Sequence, residues 1–147
     1  MKIAVGSDHA GFELKEAIRQ HLLDEGYEVI DEGTHSLERV DYPVYGKLVA
    51  EDVISGKAVF GVVCCGSAEG ISISANKVKG IRCGIGYNDD VSRLLRQHND
   101  ANMIAFAGRF MSVNEVLPRV DMFLTTSFEG GRHATRVAEI KAIEDNC

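Results

Sequence analysis

Five short apolar runs, separated by stretches of helical periodicity, constrain this chain more than anything else in it. The runs are KIAVG (2–6), YEVID (27–31), VFGVVCC (59–65), IRCGIG (81–86) and NMIAFAG (102–108). Each has the length of a strand. Between the first two, FELKEAIRQHLLDEG sets Phe12, Leu14, Ile18, Leu22 and Leu23 on roughly one helical face, with Gly26 as its C-cap. Residues 43–55, opened by Pro43, read the same way, as do 70–77, 89–97 and 113–125, and a last helix spans about 131–145. Strands alternating with helices make βαβ units, and near-continuous apolar strands are those buried on both faces. The pattern predicts a three-layer α/β/α, Rossmann-like sandwich around a five-stranded parallel sheet. At 147 residues it fills one domain, 1–147.

Charge narrows the partners. A net charge of −6 and a pI near 5.3 argue against nucleic acid or an acidic membrane as a general partner. An anionic small ligand would need a local basic cluster. No apolar run approaches membrane-spanning length, and the opening MKIAVGSDHAGF has no long apolar core of the signal-peptide kind. The cysteines are Cys64, Cys65, Cys83 and Cys147, in no zinc-binding spacing. Adjacent Cys64 and Cys65 are poorly placed to bond each other, so the reading is reduced thiols in a cytoplasm.

In a parallel sheet of this kind ligands bind beyond the carboxyl ends of the strands. The residues there are Ser7-Asp8-His9, Glu32-Gly33-Thr34, Gly66-Ser67, Tyr87-Asn88 and Gly108-Arg109. The third strand ends in VVCCGSAEG, two thiols before a loop of small residues that turns into a helix. Free amides at a helix start stabilise an anion, so a sulfur there could serve as nucleophile or base. Alternatively, both cysteines are small buried hydrophobes. They should point to opposite faces of the strand, so at most one of them serves a site. Glu69 is either a base or an acidic residue suited to a first helical turn.

Three other stretches carry chemistry. In SDHAG, Asp8 and His9 either bond a ligand or form an N-cap with a surface histidine. In RQHNDAN, His98 and Asn99 fall in a helix-to-strand loop, at the amino end of the strand and away from the ligand edge. In EGGRHATRVAEI, Arg132 and Arg136 are one helical turn apart, and two guanidinium forks on one face suit a dianion such as a phosphate monoester. Arg109 adds a third cation.

Taken together, GSDHAGFELK (6–15), VIDEGT with VDYP (29–43), CGSAEGISISANKVKGIRC (65–83), RQHNDANMIAFAGR (96–109) and GGRHATRV (130–137) resemble the ribose-5-phosphate isomerase B family along essentially the whole chain. The resemblance implies interconversion of ribose 5-phosphate and ribulose 5-phosphate, by ring opening and proton transfer through a cis-enediolate, in the pentose phosphate pathway. It implies no metal and no cofactor. By the same resemblance Cys65 is the base for the carbon-bound proton and Cys64 is packing. Ser67 and the loop amides of Gly66 to Gly70 hold the enediolate. His98 opens the ring with Asp8 nearby, and Asn99 and Tyr42 contact the sugar. His9, Arg132 and Arg136 hold the phosphate, with Arg109 beside them. The family forms its site between two subunits of a homodimer or tetramer, so His98 and the arginines need not belong to the chain that supplies Cys65. The C-terminal helix is the element expected to reach the partner.

Two features depart from the family pattern. Its commoner loop is Cys-Gly-Thr-Gly-x-Gly, whereas Ser67 and Ala68 stand here, and Ala68 is expected to reshape the loop by excluding permissive backbone angles. Another branch uses a Glu just after the last loop glycine, where this chain has Ile71. An isomerase of the same family acting on allose 6-phosphate or another hexose phosphate is the alternative, and a non-catalytic phosphosugar-binding module a third reading.

Overall fold

The computed structural model describes the whole chain, Met1–Cys147. Its elements run β1 (Lys2–Ser7), α1 (Phe12–Asp24), β2 (Glu28–Asp31), α2 (Tyr42–Ile54), β3 (Phe60–Cys65), α3 (Glu69–Asn76), β4 (Cys83–Ile85), α4 (Asp89–Gln97), β5 (Met103–Ala107), α5 (Val113–Thr125) and α6 (Arg132–Asp145). All five strands pair in parallel, in the order β2-β1-β3-β5-β4. Every predicted strand and helix is present, and the strand order is added by the structure.

Alternation along the strands builds two cores. Ile3, Val5, Val62, Cys64, Ile104 and Phe106 face α1 and α5, meeting Leu14, Ile18, Leu22, Val116, Val120 and Phe123. Ala4, Val63, Cys65, Met103 and Ala105 face α2 and α3, meeting Val49, Ala50, Ile71 and Ala75. On α1 the apolar stripe is narrower than expected. Leu23 is exposed, and the fully buried position beside Leu14 belongs to Lys15. The C-cap of α1 is Glu25, and Gly26 follows it in the left-handed conformation at φ +90°.

Lys15 survives burial because it is paired. Its Nζ lies 2.8 Å from Asp31 Oδ1 and 3.0 Å from Glu16 Oε1. Asp31 Oδ1 also accepts from the Gly33 N–H at 3.0 Å. The ammonium thereby ties α1 to the end of β2 and to the start of the segment leading to α2. That segment stays pinned to β1, since Ser7 N–H donates to Gly33 O and Thr34 N–H to Ser7 O at 2.8 and 2.9 Å.

Helix α6 is different. Only His133 on it is buried, and Ile143 is 70% exposed. Its ties to the rest are few. Glu144 Oε1 accepts from Gly80 N–H at 2.7 Å, and His133 stacks on His98. Helices of this length draw most of their stability from packing.

A buried acid sits on the inner face of α2. Asp52 is buried, and its Oδ2 has no hydrogen-bond partner of its own among the chain's donors. The Glu32 carboxyl lies against it and can bond to it only while the pair holds a proton. That hydrogen bond, helped by burial and by repulsion from Asp52, raises Glu32 from 4.5 to about 7. A carboxyl raised on folding stabilises fully below its unfolded value and loses that contribution as pH climbs through the folded one. The melting temperature should therefore fall between pH 5 and 8, and Glu32→Gln, whose amide donates at every pH, should flatten this fall. Parallel profiles for the two proteins in a thermal melt series would rule the shared proton out.

Candidate active site

The strand order reverses at β1 and β3, and the crevice opens there. Register brings the ends of the three central strands level: Ser7 pairs with Cys64, and Cys65 with Ala107. The ladder continues past the strands, with Asp8 N–H donating to Cys64 O (3.3 Å), Gly108 N–H to Cys65 O (2.8 Å) and Arg109 N–H to Gly66 O (3.1 Å). Asp8, Cys65 and Arg109 meet for that reason. Around them is a cleft of about 510 Å³ lined by Asp8, His9, Ala10, Arg39, Val40, Asp41, Tyr42, Cys65, Gly66, Ser67, Gly70, Arg109 and Phe110.

The two thiols separate as strand alternation requires. Cys64 points into the α1/α5 core, where burial pushes its thiol well above the ordinary range. Cys65, on the other face, is 4% exposed and reaches the cleft. Beyond it, Gly66, Ser67, Ala68, Gly70 and Ile71 have amide N–H groups that donate to nothing in the chain, while Glu69 N–H lies 3.4 Å from Ser67 Oγ. The start of α3 thus presents free donors beside a sulfur.

Ala68 forms the turn at φ 70°, ψ −19°, within the left-handed region. The expectation that it excludes such angles is corrected: alanine adopts the conformation a glycine would, at a cost of about 1–2 kcal/mol. Its fully buried methyl group in the α2/α3 core offsets roughly 0.8 kcal/mol of that. Glycine is needed close by. A Cβ on Gly70 would lie 2.5 Å from the Tyr42 ring, and one on Gly11 2.5 Å from the Cys64 carbonyl.

Asp8 is not the N-cap of α1, a place taken by Gly11, but Asp8 Oδ1 accepts from Gly11 N–H at 3.0 Å, holding the turn into α1, and the residue also lines the cleft. His9 Nδ1 accepts from Val40 N–H at 3.2 Å, so a neutral ring carries its proton on Nε2. Arg39 and Arg109 supply positive charge, and neither is in an ion pair with any carboxylate of the chain. Glu69 lies outside the cleft. It lines a neighbouring cavity of about 690 Å³ with Ser72, Cys83, Ile85, Tyr87 and Met111, which shares Ser67 and Phe110 with the cleft lining. Burial drives Cys83 to about 12.

Of the sequence-predicted residues, Asp8, His9, Tyr42, Cys65, Gly66, Ser67, Gly70 and Arg109 come together in the cleft. His98, Asn99, Arg132 and Arg136 do not. His98 caps α4 before β5 begins, roughly 15 Å along the sheet from the level of Cys65. Its ring stacks on His133 with centroids 4.0 Å apart, which brings the first turn of α6 to the same edge. Burial lowers the His133 pKa, and His98 and Arg132 lower it further. Asn99 lines a third cavity, about 810 Å³, with Ile81, Leu95, Ile140, Ile143 and Cys147. Arg132 and Arg136, like Arg39 and Arg109, have no carboxylate partner, whereas Arg19, Arg82, Arg93, Arg96 and Arg119 each have at least one. The chain therefore carries two separate clusters, one with thiol and amides, the other with imidazoles and guanidiniums.

Sequence reasoning missed Arg39, Val40, Asp41 and Phe110. The available signal was ERVDYP, a charged loop running into a proline-opened helix. Phe110, 77% exposed beside Arg109, had no signal in its periodicity.

Comparisons with known proteins converge. The family model described as Ribose/Galactose Isomerase matches residues 3–140. Ribose-5-phosphate isomerase B of Escherichia coli (strain K12) is 48% identical over 143 residues, 97% of this chain and 96% of that protein. The structure of Clostridium thermocellum ribose-5-phosphate isomerase B superimposes with a TM-score of 0.98 at 51% identity, covering 99% of both chains. That of the Mycoplasma genitalium ribose-5-phosphate isomerase B, with bound ribulose-5-phosphate, gives 0.94 at 35% identity over 99% of this chain and 97% of the other.

The energetics of the Ala68 turn are testable. Ala68→Gly should stay within about 1 kcal/mol of wild type in urea denaturation, because relief of the left-handed cost, loss of the methyl and added chain entropy nearly cancel. Ala68→Val, branched at Cβ in a filled site, should lose about 3 kcal/mol. Equal stability of the valine variant would show that the turn is not held as described.

Proposed function

The chain belongs to the ribose/galactose isomerase family, and from that premise we propose that it interconverts ribose 5-phosphate and ribulose 5-phosphate. The observation that carries this reading is the Cys65 thiol in a cleft beside the free amides at the start of α3. An aldose–ketose isomerisation needs a base within reach of a C–H and donors where the enediolate charge develops. Cys65 takes the C2 proton and returns it to C1. Ser67 Oγ–H and the loop amides hold the developing oxyanion. Asp8, with Oδ1 committed to Gly11, offers its other oxygen to a sugar hydroxyl. Tyr42, His9 Nε2–H, Arg39 and Arg109 bind along the rest of the substrate.

The ring-opening histidine and the phosphate clamp come from a second copy of the chain in this reading. His98 and its own Cys65 stand a strand length apart, so one chain cannot bring both to a pentose. A homodimer also accounts for α6, whose exposed Ile140 and Ile143 need cover, and for the exposed Val44, Leu48 and Ile73 on α2 and α3 beside the cleft. It accounts for the unpaired arginines as well. Arg132 and Arg136 would close on a phosphate held from the other side by Arg39 and Arg109. A cytoplasmic location follows from the thiols and the phosphorylated substrate.

Four measurements test this reading. Cys65→Ala should lose about 10²–10⁴ in turnover while ribose 5-phosphate still binds, measured by kinetics and calorimetry. Retained isomerisation would remove Cys65 as the base. Ribose 5-phosphate should be turned over at least about tenfold faster than allose 6-phosphate, in line with the ~10–200-fold that one methylene-sized difference supports. Arg136→Ala should raise KM about 10- to 100-fold with little change in kcat, as expected for a charged hydrogen bond. At ribose 5-phosphate well below the wild-type KM, where either variant alone is slow, co-expressing the Cys65→Ala and Arg136→Ala chains should restore roughly a quarter of wild-type activity, because each mixed dimer regains one intact site. No recovery in the mixture would argue against a shared site.

A further inference from the structure

Three metal-ligating side chains meet at the edge away from the cleft. His98 ends α4, Glu129 lies in the turn after α5, and His133 is in the first turn of α6. One donor atom from each lies within 4.8 Å of the other two. Both Nε2 atoms lie near the same carboxylate oxygen: His133 Nε2 is 3.6 Å from Glu129 Oε2, and His98 Nε2 is 3.9 Å from it. These separations are too long for hydrogen bonds. His133 Nε2 is moreover buried, on a side chain only 6% exposed, and has no hydrogen-bond partner. Buried nitrogens without partners are rare enough to require an explanation. Glu129 is held from behind, its N–H donating to Gln97 O at 3.0 Å.

We propose that His98, Glu129 and His133 form a binding site for a transition-metal cation of the zinc class, and that its occupation switches the enzyme off. Zinc takes imidazole nitrogen and carboxylate oxygen at about 2.0–2.2 Å, so tetrahedral ligands stand roughly 3.3 Å apart. Contraction from 3.6 and 3.9 Å is a matter of a few tenths of an ångström on each side. One larger movement is needed. The two rings are stacked at 11°, and parallel rings cannot both aim a lone pair at one ion. His98 must turn about its Cβ–Cγ bond. It is free to do so, being partly exposed with no hydrogen bond to its ring. The fourth position is left to water.

Surroundings select the ion. The cluster has one carboxylate, and Arg132 and Arg136 are close enough to act on the charge of His133. Magnesium and calcium, held by charge on oxygen ligands, gain little there. Zinc, nickel and copper bond to imidazole strongly enough to tolerate the neighbouring cations. Binding depends only on the three side chains. Inhibition rests on the proposed role of His98 in opening the sugar ring.

The experiment uses the whole protein and cobalt(II) as a spectroscopic probe. One equivalent per chain should produce visible d–d bands without a sulfur-to-cobalt charge-transfer band. Glu129→Gln, with a wild-type melting temperature and metal-free turnover, should bind at least tenfold more weakly. Zinc should inhibit the wild type reversibly, with chelator restoring activity and magnesium without effect, and Glu129→Gln should need at least tenfold more zinc. A thiolate band, or equal cobalt affinity in Glu129→Gln, would place the ion on a cysteine and overturn the site. Cobalt bound without a thiolate band, with turnover untouched, would keep the site but refute the switch, and with it the role of His98.

Discussion

The backbone ladder across β1, β3 and β5 is the constraint from which the candidate site follows. With Ser7 level with Cys64, and Cys65 level with Ala107, the residues after each strand emerge at one height. A slip of one residue would turn Cys65 into the opposite core and Cys64 toward the cleft. The register is secured because both faces of the sheet are buried, leaving no exposed face that could accept a misplaced side chain. Chemistry at the carboxyl edge is thus underwritten by packing several residues below it.

Around that edge the chain spends stability on geometry. Ala68 accepts a left-handed backbone so that the amides of the loop stay free. Lys15 is buried whole, at a desolvation cost that its pairing with Asp31 and Glu16 offsets, and in return the segment from Gly33 to Tyr42 is anchored beside the cleft. Glu32 and Asp52 make a smaller device of the same kind, two acids whose contact depends on a shared proton.

The second cluster has another logic. His98, His133, Arg132 and Arg136 gather where α6 leaves the body of the fold, and nothing in their own chain neutralises the two guanidiniums. A helix with one buried residue and four arginines without carboxylates are the features that the proposed shared site accounts for in a chain of net charge −6. The same imidazole pair that would serve a sugar in one setting offers nitrogen ligands to a metal in another. Neutral imidazole lone pairs are equally good hydrogen-bond acceptors and metal donors.

Periodicity made the five strands and six helices legible, because burial on one face or both leaves its period in the residue order. The strand-end rule then pointed at Asp8, Cys65, Ser67 and Arg109. It could not point at Arg39 or Phe110, whose place depends on how a loop folds back over the sheet. Nor could it show that Lys15, inside an amphipathic helix, is a core residue, since a lysine looks the same in sequence whether or not an aspartate at the end of a neighbouring strand awaits it. The chain's residue order alone determined which elements form and which chemical groups stand at their ends, since both are matters of local spacing. Only the tertiary structure decided which of those groups meet, with Cys65 beside Arg109 and His98 beside His133 but a strand away from Cys65, because strand order and register are set by the burial of the whole sheet.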